Sequence, residues 1–163
     1  MVADGLLTRQ RYREVPPRVD YELTERARSL MPILGALGRW GFEWTWSGPR
    51  NGEDVDIGAI LRLAPGMLTP AASLHGTVAI AATGKHAAPR DYVLTVADGR
   101  VAIAERAAPD ADARVDGPHE AWIAALGPDH DFSGLRIEGD KALAGAVLDG
   151  LAAVTTRASS AAA

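Results

Sequence analysis

Pro16 and Pro17 stand between two short runs of strand-forming residues, and no other feature constrains the N-terminal part of the chain as much. Each proline removes a backbone donor and fixes φ, so strand pairing has to stop there. Before them, Gly5-Leu6-Leu7-Thr8-Arg9 is an apolar run after a glycine. After them, Arg18-Val19-Asp20-Tyr21-Glu22-Leu23 alternates with a period of two and puts Val19, Tyr21 and Leu23 on one face. The pattern predicts a β-hairpin with a stiff, exposed tip running from Gln10 to Pro17. Four arginines (Arg9, Arg11, Arg13 and Arg18) meet only Asp4 and Glu14 within the first 18 residues, a local charge of +2 in a chain whose total is −4. The planar donor fork of arginine suits a phosphate backbone or a minor groove. Arg9, Arg11, Tyr12, Arg13 and Arg18 are therefore the candidate DNA contacts, and solvated turn residues are the plain alternative.

From Thr24 the pattern turns helical. Thr24 is placed as an N-cap and Glu25 lies in the first turn, where a negative charge favours the dipole. Ala27, Leu30, Met31, Leu34, Leu37 and Gly41 form one stripe, widened by Ile33 and Trp40. A stripe that broad has to be buried, against a second subunit or against the rest of the same chain. Pro32 falls inside the pattern and predicts a kink.

The run Asp4-Gly5-Leu6, Arg9, Tyr12, Glu14-Val15-Pro16-Pro17-Arg18-Val19, Tyr21, Leu23-Thr24 and Trp40-Gly41 resembles the C-terminal half of the HxlR-type family of winged-helix transcription regulators. The resemblance covers about a quarter of the chain. It implies that the hairpin is a wing on DNA and that Thr24 to Trp40 forms a homodimer. The family's preceding helices, including the one that enters the major groove, would lie upstream of Val2. The expectation is therefore a wing and dimerisation helix without the reading head, as an N-terminally truncated regulator or as a remnant that no longer binds DNA specifically.

Charge divides the chain. Residues 1–50 hold eight Lys and Arg against six Asp and Glu, whereas residues 51–163 hold nine against fifteen. An acidic second part is a poor nucleic-acid surface, so any DNA contact belongs to the first. With 47% hydrophobic and 23% charged residues the composition is that of a globular protein rather than a disordered one. The absence of cysteine excludes disulfides and cysteine-ligated metal centres and permits a reducing compartment. No leading basic-then-apolar segment is present, and no apolar run reaches the ~18 residues of a membrane span. A cytoplasmic protein is expected, with no membrane partner.

The domain boundary is expected in the glycine- and proline-containing connector, giving a partial winged-helix unit over 1–46, a linker over 47–55, a second domain over 56–154 and a disordered tail over 155–163. Trp44 and Trp46 have strand spacing in that connector. Within the second domain, Asp56 to Leu63 predicts a short helix stopped by Ala64-Pro65-Gly66. Ser73 to Ala82 and Asp91 to Ala97 predict strands, and Asp98-Gly99 predicts a tight hairpin into Arg100-Val101-Ala102-Ile103-Ala104. Asp112 to Asp116 is expected as an edge strand, and Pro118 to Leu126 as a helix opened by proline. Leu135 to Glu138 is a strand leading into a helix capped by Asp140. The order predicts an α+β fold, with helices against one side of an antiparallel sheet.

This part resembles the sterol carrier protein domain in Leu94-Thr95-Val96-Ala97-Asp98-Gly99, in Ala111-Asp112-Ala113-Arg114-Val115 and in Leu135-Arg136-Ile137-Glu138-Gly139-Asp140. The resemblance implies shelter for an apolar small molecule between sheet and helices. Trp122, Leu126, Ile137, Leu143 and Val147 are the candidate lining, and ordinary core packing explains the same spacing.

Little in the chain suggests catalysis. The histidines His75, His86, His119 and His130 form no paired metal-ligand spacing, and no serine stands in a nucleophile elbow. No metal site, cofactor or enzymatic activity is expected. Two functions fit these patterns. One is an HxlR-type DNA-binding regulator with an attached domain sensing an apolar molecule. The other is a dimeric module for an apolar ligand with no specific DNA binding.

Overall fold

The computed structural model describes residues 1–13, 16, 18–45, 55–82, 90–127 and 130–152. The expected tail, all but the last residue of the expected linker, and Trp46 lie outside the described residues.

The predicted hairpin is present. Strands β1 (Leu7–Tyr12) and β2 (Arg18–Leu23) pair antiparallel, with Leu7 opposite Leu23 and Tyr12 opposite Arg18. Thr24 ties the hairpin to the first helix. Its side chain accepts from the Ala27 N–H at 3.2 Å, as the N-cap expectation requires, and its hydroxyl donates to the Gly5 carbonyl at 2.7 Å.

The helical segment differs from the single kinked helix expected. A short α1 (Glu25–Arg28) ends at Ser29, and α2 (Met31–Thr45) starts afresh. Pro32 thus sits in the first turn of a new helix, where the backbone N–H it lacks has no intrahelical partner to lose. At the other end α2 runs through Gly41 to Thr45, so Trp44 is helical and the strand reading of its spacing is corrected.

Next come α3 (Ile57–Arg62), capped by the Asp56 carboxylate on the Ala59 N–H, and α4 (Ala64–Met67). As expected, the first of these helices stops ahead of Ala64-Pro65-Gly66; Pro65 then lies in the first turn of α4, a position that tolerates proline.

The sheet has five strands in the order β5-β4-β3-β6-β7, formed by β3 (Gly76–Ala82), β4 (Arg90–Ala97), β5 (Arg100–Glu105), β6 (Ala113–Gly117) and β7 (Arg136–Gly139). The predicted turn at Asp98-Gly99 has positive φ at both residues, 51° and 71°, the requirement of a two-residue hairpin matched to strand twist. Three pairings are antiparallel. The fourth, β3 with β6, is parallel, so the sheet is mixed and not wholly antiparallel. The same pairing puts β6 inside the sheet between β3 and β7, correcting its expected place at an edge.

A parallel neighbour needs a crossover. Here the segment between β5 and β6 supplies it, passing over the sheet face that carries Ala79 and Val93. Asp112 fixes the landing point. Its carboxylate accepts from both the backbone N–H and the hydroxyl of Thr77, each at 2.8 Å. These two donors hold the Asp112 carboxyl below the usual carboxylate range.

Register sorts the side chains by face. Val78, Leu94 and Ala113 are neighbours across three strands, as are Ile80, Tyr92 and Val115. Against this apolar face lie α3, α5 (His119–Leu126) and α6 (Lys141–Ala152), which contribute Leu61, Trp122, Leu143 and Leu148 to one core. The Asp140 carboxylate accepts from Ala142 and Leu143, capping α6 as expected. The α+β layout, with helices on one side of the sheet, agrees with the pattern read from the sequence.

Candidate nucleic-acid interface and ligand groove

Cross-strand pairing decides which hairpin side chains share a face. Arg9 is opposite Tyr21 and Arg11 is opposite Val19, so these four project on one side. Tyr12 and Arg18 pair on the other side, where the Arg18 guanidinium lies 5.8 Å from the centre of the Tyr12 ring and donates to the Asp20 carboxylate at 2.8 Å. The hydrogen bond and charge of Asp20 raise the Arg18 pKa. Arg13 follows β1 at the tip. All five candidate DNA contacts are exposed, but Arg18 is held by a carboxylate, and among the described residues Arg9, Arg11 and Arg13 have no such partner. The free basic groups are thus concentrated on one face and at the tip.

Helix α2 has two differently used sides. One is pressed against α4. A Cβ built on Gly35 falls on the Gly66 carbonyl, and one built on Gly66 falls on the Met31 carbonyl, so the two backbones meet where only glycine fits. Beside this contact the Arg39 guanidinium donates to the carbonyls of Gly66 and Met67, at 3.3 and 2.9 Å, satisfying acceptors at the end of α4. The other side is open. Ile33, Leu37, Trp40 and Trp44 recur at i, i+4, i+7 and i+11 and are 64%, 61%, 55% and 68% exposed. The predicted stripe is therefore not the packed side: Leu30, Ile33, Leu34, Leu37 and Trp40 are exposed, and the close contact is made by Gly35, which lies outside the stripe.

Where α1 and α2 approach α4 and β5, a groove of about 620 Å³ opens. Leu23, Met31 and Pro32 line it from the hairpin and α2, Leu63 and Pro65 from the start of α4, and Val101 to Ile103 from β5. Among the described residues, Arg28 and Arg62 are the charged residues of the lining. Arg62 is held in place by the Tyr92 hydroxyl at 3.2 Å, by Glu105 at 3.4 Å and by the Tyr92 ring. Arg28 is more loosely paired, 4.0 Å from an almost fully exposed Glu25.

The five residues put forward for an apolar ligand are placed elsewhere. Trp122, Leu126, Leu143 and Val147 are buried in the core, and Ile137 packs against it from β7. The Trp122 indole donates to the Ala81 carbonyl at 3.2 Å, so its polar edge is used within the fold. Sequence reading noted Leu23, Met31, Pro32 and Val101 to Ile103 for their local patterns but did not group them with Arg28, Arg62, Leu63 and Pro65, because separate segments of the chain supply the lining.

The hairpin and the apolar-faced helix after it have the make-up of the wing and following helix of a winged-helix DNA-binding protein, here joined to an α+β domain. Residues 1–48 match the family model described as HxlR-like helix-turn-helix. An HTH-type transcriptional regulator of Methanothermobacter thermautotrophicus is 56% identical over 39 residues, 24% of this chain and 30% of the relative. One from Halalkalibacterium halodurans is 54% identical over 39 residues, 24% of this chain and 34% of the relative. The chain thus spans about a third of the length of these relatives. Among solved structures, the sterol carrier protein domain 2 of Helicoverpa armigera is 14% identical with a TM-score of 0.47, covering 68% of this chain and 97% of that one. A double mutant of the sec-alkyl sulfatase PisA1 is 16% identical with a TM-score of 0.49, covering 57% of this chain and 16% of that one.

Proposed function

We propose that the chain is the wing, dimerisation helix and ligand-sensing domain of an HxlR-type transcription regulator that acts without catalysis in the cytoplasm. One observation carries this reading. The segment that matches the HxlR-like family folds as an arginine-bearing hairpin whose Arg9, Arg11 and Arg13 are exposed and whose register is fixed down to Thr24. Arginines at the edge and tip of a stiff hairpin neutralise phosphates without reading bases, so the wing supplies affinity and orientation. Sequence preference then falls to the recognition helix that the family places ahead of the wing. The outward stripe of α2, from Ile33 to Trp44, supports a homodimer through the segment Thr24 to Trp40. Pairing two copies there would present two wings to one duplex. The attached α+β domain has the role of sensing an apolar small molecule.

The test is duplex DNA binding measured against salt concentration. Each phosphate contact contributes about 0.9 to the log–log slope. Replacing Arg11 and Arg13 by Ala is expected to lower the slope by about 2 per protomer. An unchanged slope would show that the hairpin does not meet the backbone and would favour a dimeric ligand-binding module with no specific DNA binding.

A further inference from the structure

Backbone groups hold each step of the route from the hairpin to the α+β domain. At its start the Thr24 hydroxyl donates to the Gly5 carbonyl at 2.7 Å and Arg26 to the Asp4 carbonyl at 3.2 Å, tying α1 to the base of the hairpin. The break between α1 and α2 is itself a hydrogen-bonded turn. The Leu30 N–H donates to the Ala27 carbonyl at 3.1 Å, and those of Ile33 and Leu34 donate to the Leu30 carbonyl at 3.0 Å. Helix α2 then meets α4 where neither Gly35 nor Gly66 has room for a Cβ. No side chain stands between the two backbones there that could rotate and let one helix slide over the other. Beside this contact the half-buried Arg39 donates from Nη1 to the carbonyls of Gly66 and Met67, in a turn that lacks intrahelical donors for them. Helix α4 is in turn fixed to the body of the domain: Ala64 and Met67 are buried, and Leu68 lies where a Cβ on Gly150 of α6 would fall.

We infer that the hairpin, α1, α2 and the α+β domain move as one body, so that the α+β domain sets where the hairpin stands, with Arg39 as the positioning residue of the joint. The joint links elements on either side of the connector that the sequence pattern marks as a linker. A shift of α4 therefore carries α2 and the hairpin with it. By linkage, whatever binds the hairpin more tightly in one position favours the matching position of α4. That coupling to DNA rests on the regulator reading; the joint itself does not.

The experiment uses the absence of cysteine, which lets spin labels be placed one by one. Labels on Glu22→Cys in the hairpin and Thr95→Cys in β4, both at exposed positions, report the separation of hairpin and sheet by pulsed electron resonance. Excess unlabelled chain keeps distances between copies out of the signal. The expected result is one narrow distance distribution in the labelled parent. Arg39→Ala is expected to broaden it, and Arg39→Lys, which keeps a cationic donor for the same carbonyls, to restore it in large part. A broad distribution in the parent would overturn the single body, and it decides the matter alone if Arg39→Ala does not fold. An unchanged distribution in Arg39→Ala, or one equally broad in Arg39→Lys, would overturn the role of Arg39. DNA binding against salt separates this from the regulator reading, because Arg39 is bonded within the fold and its loss should leave the log–log slope unchanged. A narrow distribution without DNA binding would keep the joint and remove the regulator; DNA binding with a broad one would do the reverse.

Discussion

Replacing Gly35 by Ala tests the close contact on which the position of α2 depends. In most exposed helix positions this change is favourable by about 1 kcal/mol, because alanine loses less backbone entropy on folding. At Gly35 the new methyl would occupy the place of the Gly66 carbonyl, a backbone group that cannot rotate aside as a side chain can. Overpacking against a fixed neighbour costs about 1–3 kcal/mol. The upper part of that range applies here, so the net expectation is a loss of up to about 2 kcal/mol. Gly145 in α6 provides an internal control, since a Cβ there meets nothing within 4 Å and Ala should stabilise by about 1 kcal/mol. Chemical denaturation of Gly35→Ala and Gly145→Ala, followed by tryptophan fluorescence and by circular dichroism, should separate the two variants by up to about 3 kcal/mol when α2 unfolds with the sheet. If α2 instead detaches alone, the fluorescence of Trp40 and Trp44 should change at lower denaturant than the circular dichroism does. Equal stabilisation by both substitutions, with coincident transitions, would refute the backbone contact between α2 and α4.

Two further outcomes depend on single side chains. Asp112 has its pKa lowered by the Thr77 N–H and hydroxyl, so its contribution is present above the unfolded carboxylate value and is lost as pH falls through the lower folded value. Asp112→Asn should therefore be less stable than the parent at neutral pH, with the gap closing as the solution is acidified into that range; denaturation midpoints measured across the acid range would check this. Trp122→Phe removes a fully buried indole N–H from the Ala81 carbonyl, and a loss of about 1–3 kcal/mol is expected in the thermal or denaturant midpoint.

Local patterns in the sequence foretold local structure well. The prolines, the period-two run to Leu23, the Asp98-Gly99 turn and the Asp140 cap each rest on nearest-neighbour stereochemistry, and the hairpin, turn and cap they predict are present in the fold. Two features were not visible, one set by distant partners and one by an ambiguity in the local pattern. The parallel pairing of β6 with β3 is set by a crossover and by the reach of Asp112 to Thr77, 35 residues away. The interruption between α1 and α2 turns on whether Pro32 is read as an interior kink or as a first-turn residue, and periodicity alone does not distinguish them. The site divides in the same way. The arginines of the hairpin are close in sequence and carry a recognisable motif, whereas the groove assembles Arg28, Met31, Arg62 and Val101 from segments that only the tertiary fold brings together. Helix α2 was legible as apolar, but its division into a glycine edge packed on α4 and an outward edge of large side chains was not.

That division is central to the proposed assembly, because it gives α2 one partner within the chain and leaves a face for a second copy. Sedimentation of the chain and of Leu37→Asp tests it most directly. Leu37 is 61% exposed in the single chain, so a carboxylate there leaves the monomer fold undisturbed but would be buried without a partner at a paired helix face. The expected result is a dimer at micromolar concentration for the parent and a folded monomer for Leu37→Asp. A monomeric parent, or a variant that remains dimeric, would contradict the assignment of α2 as the dimerisation helix.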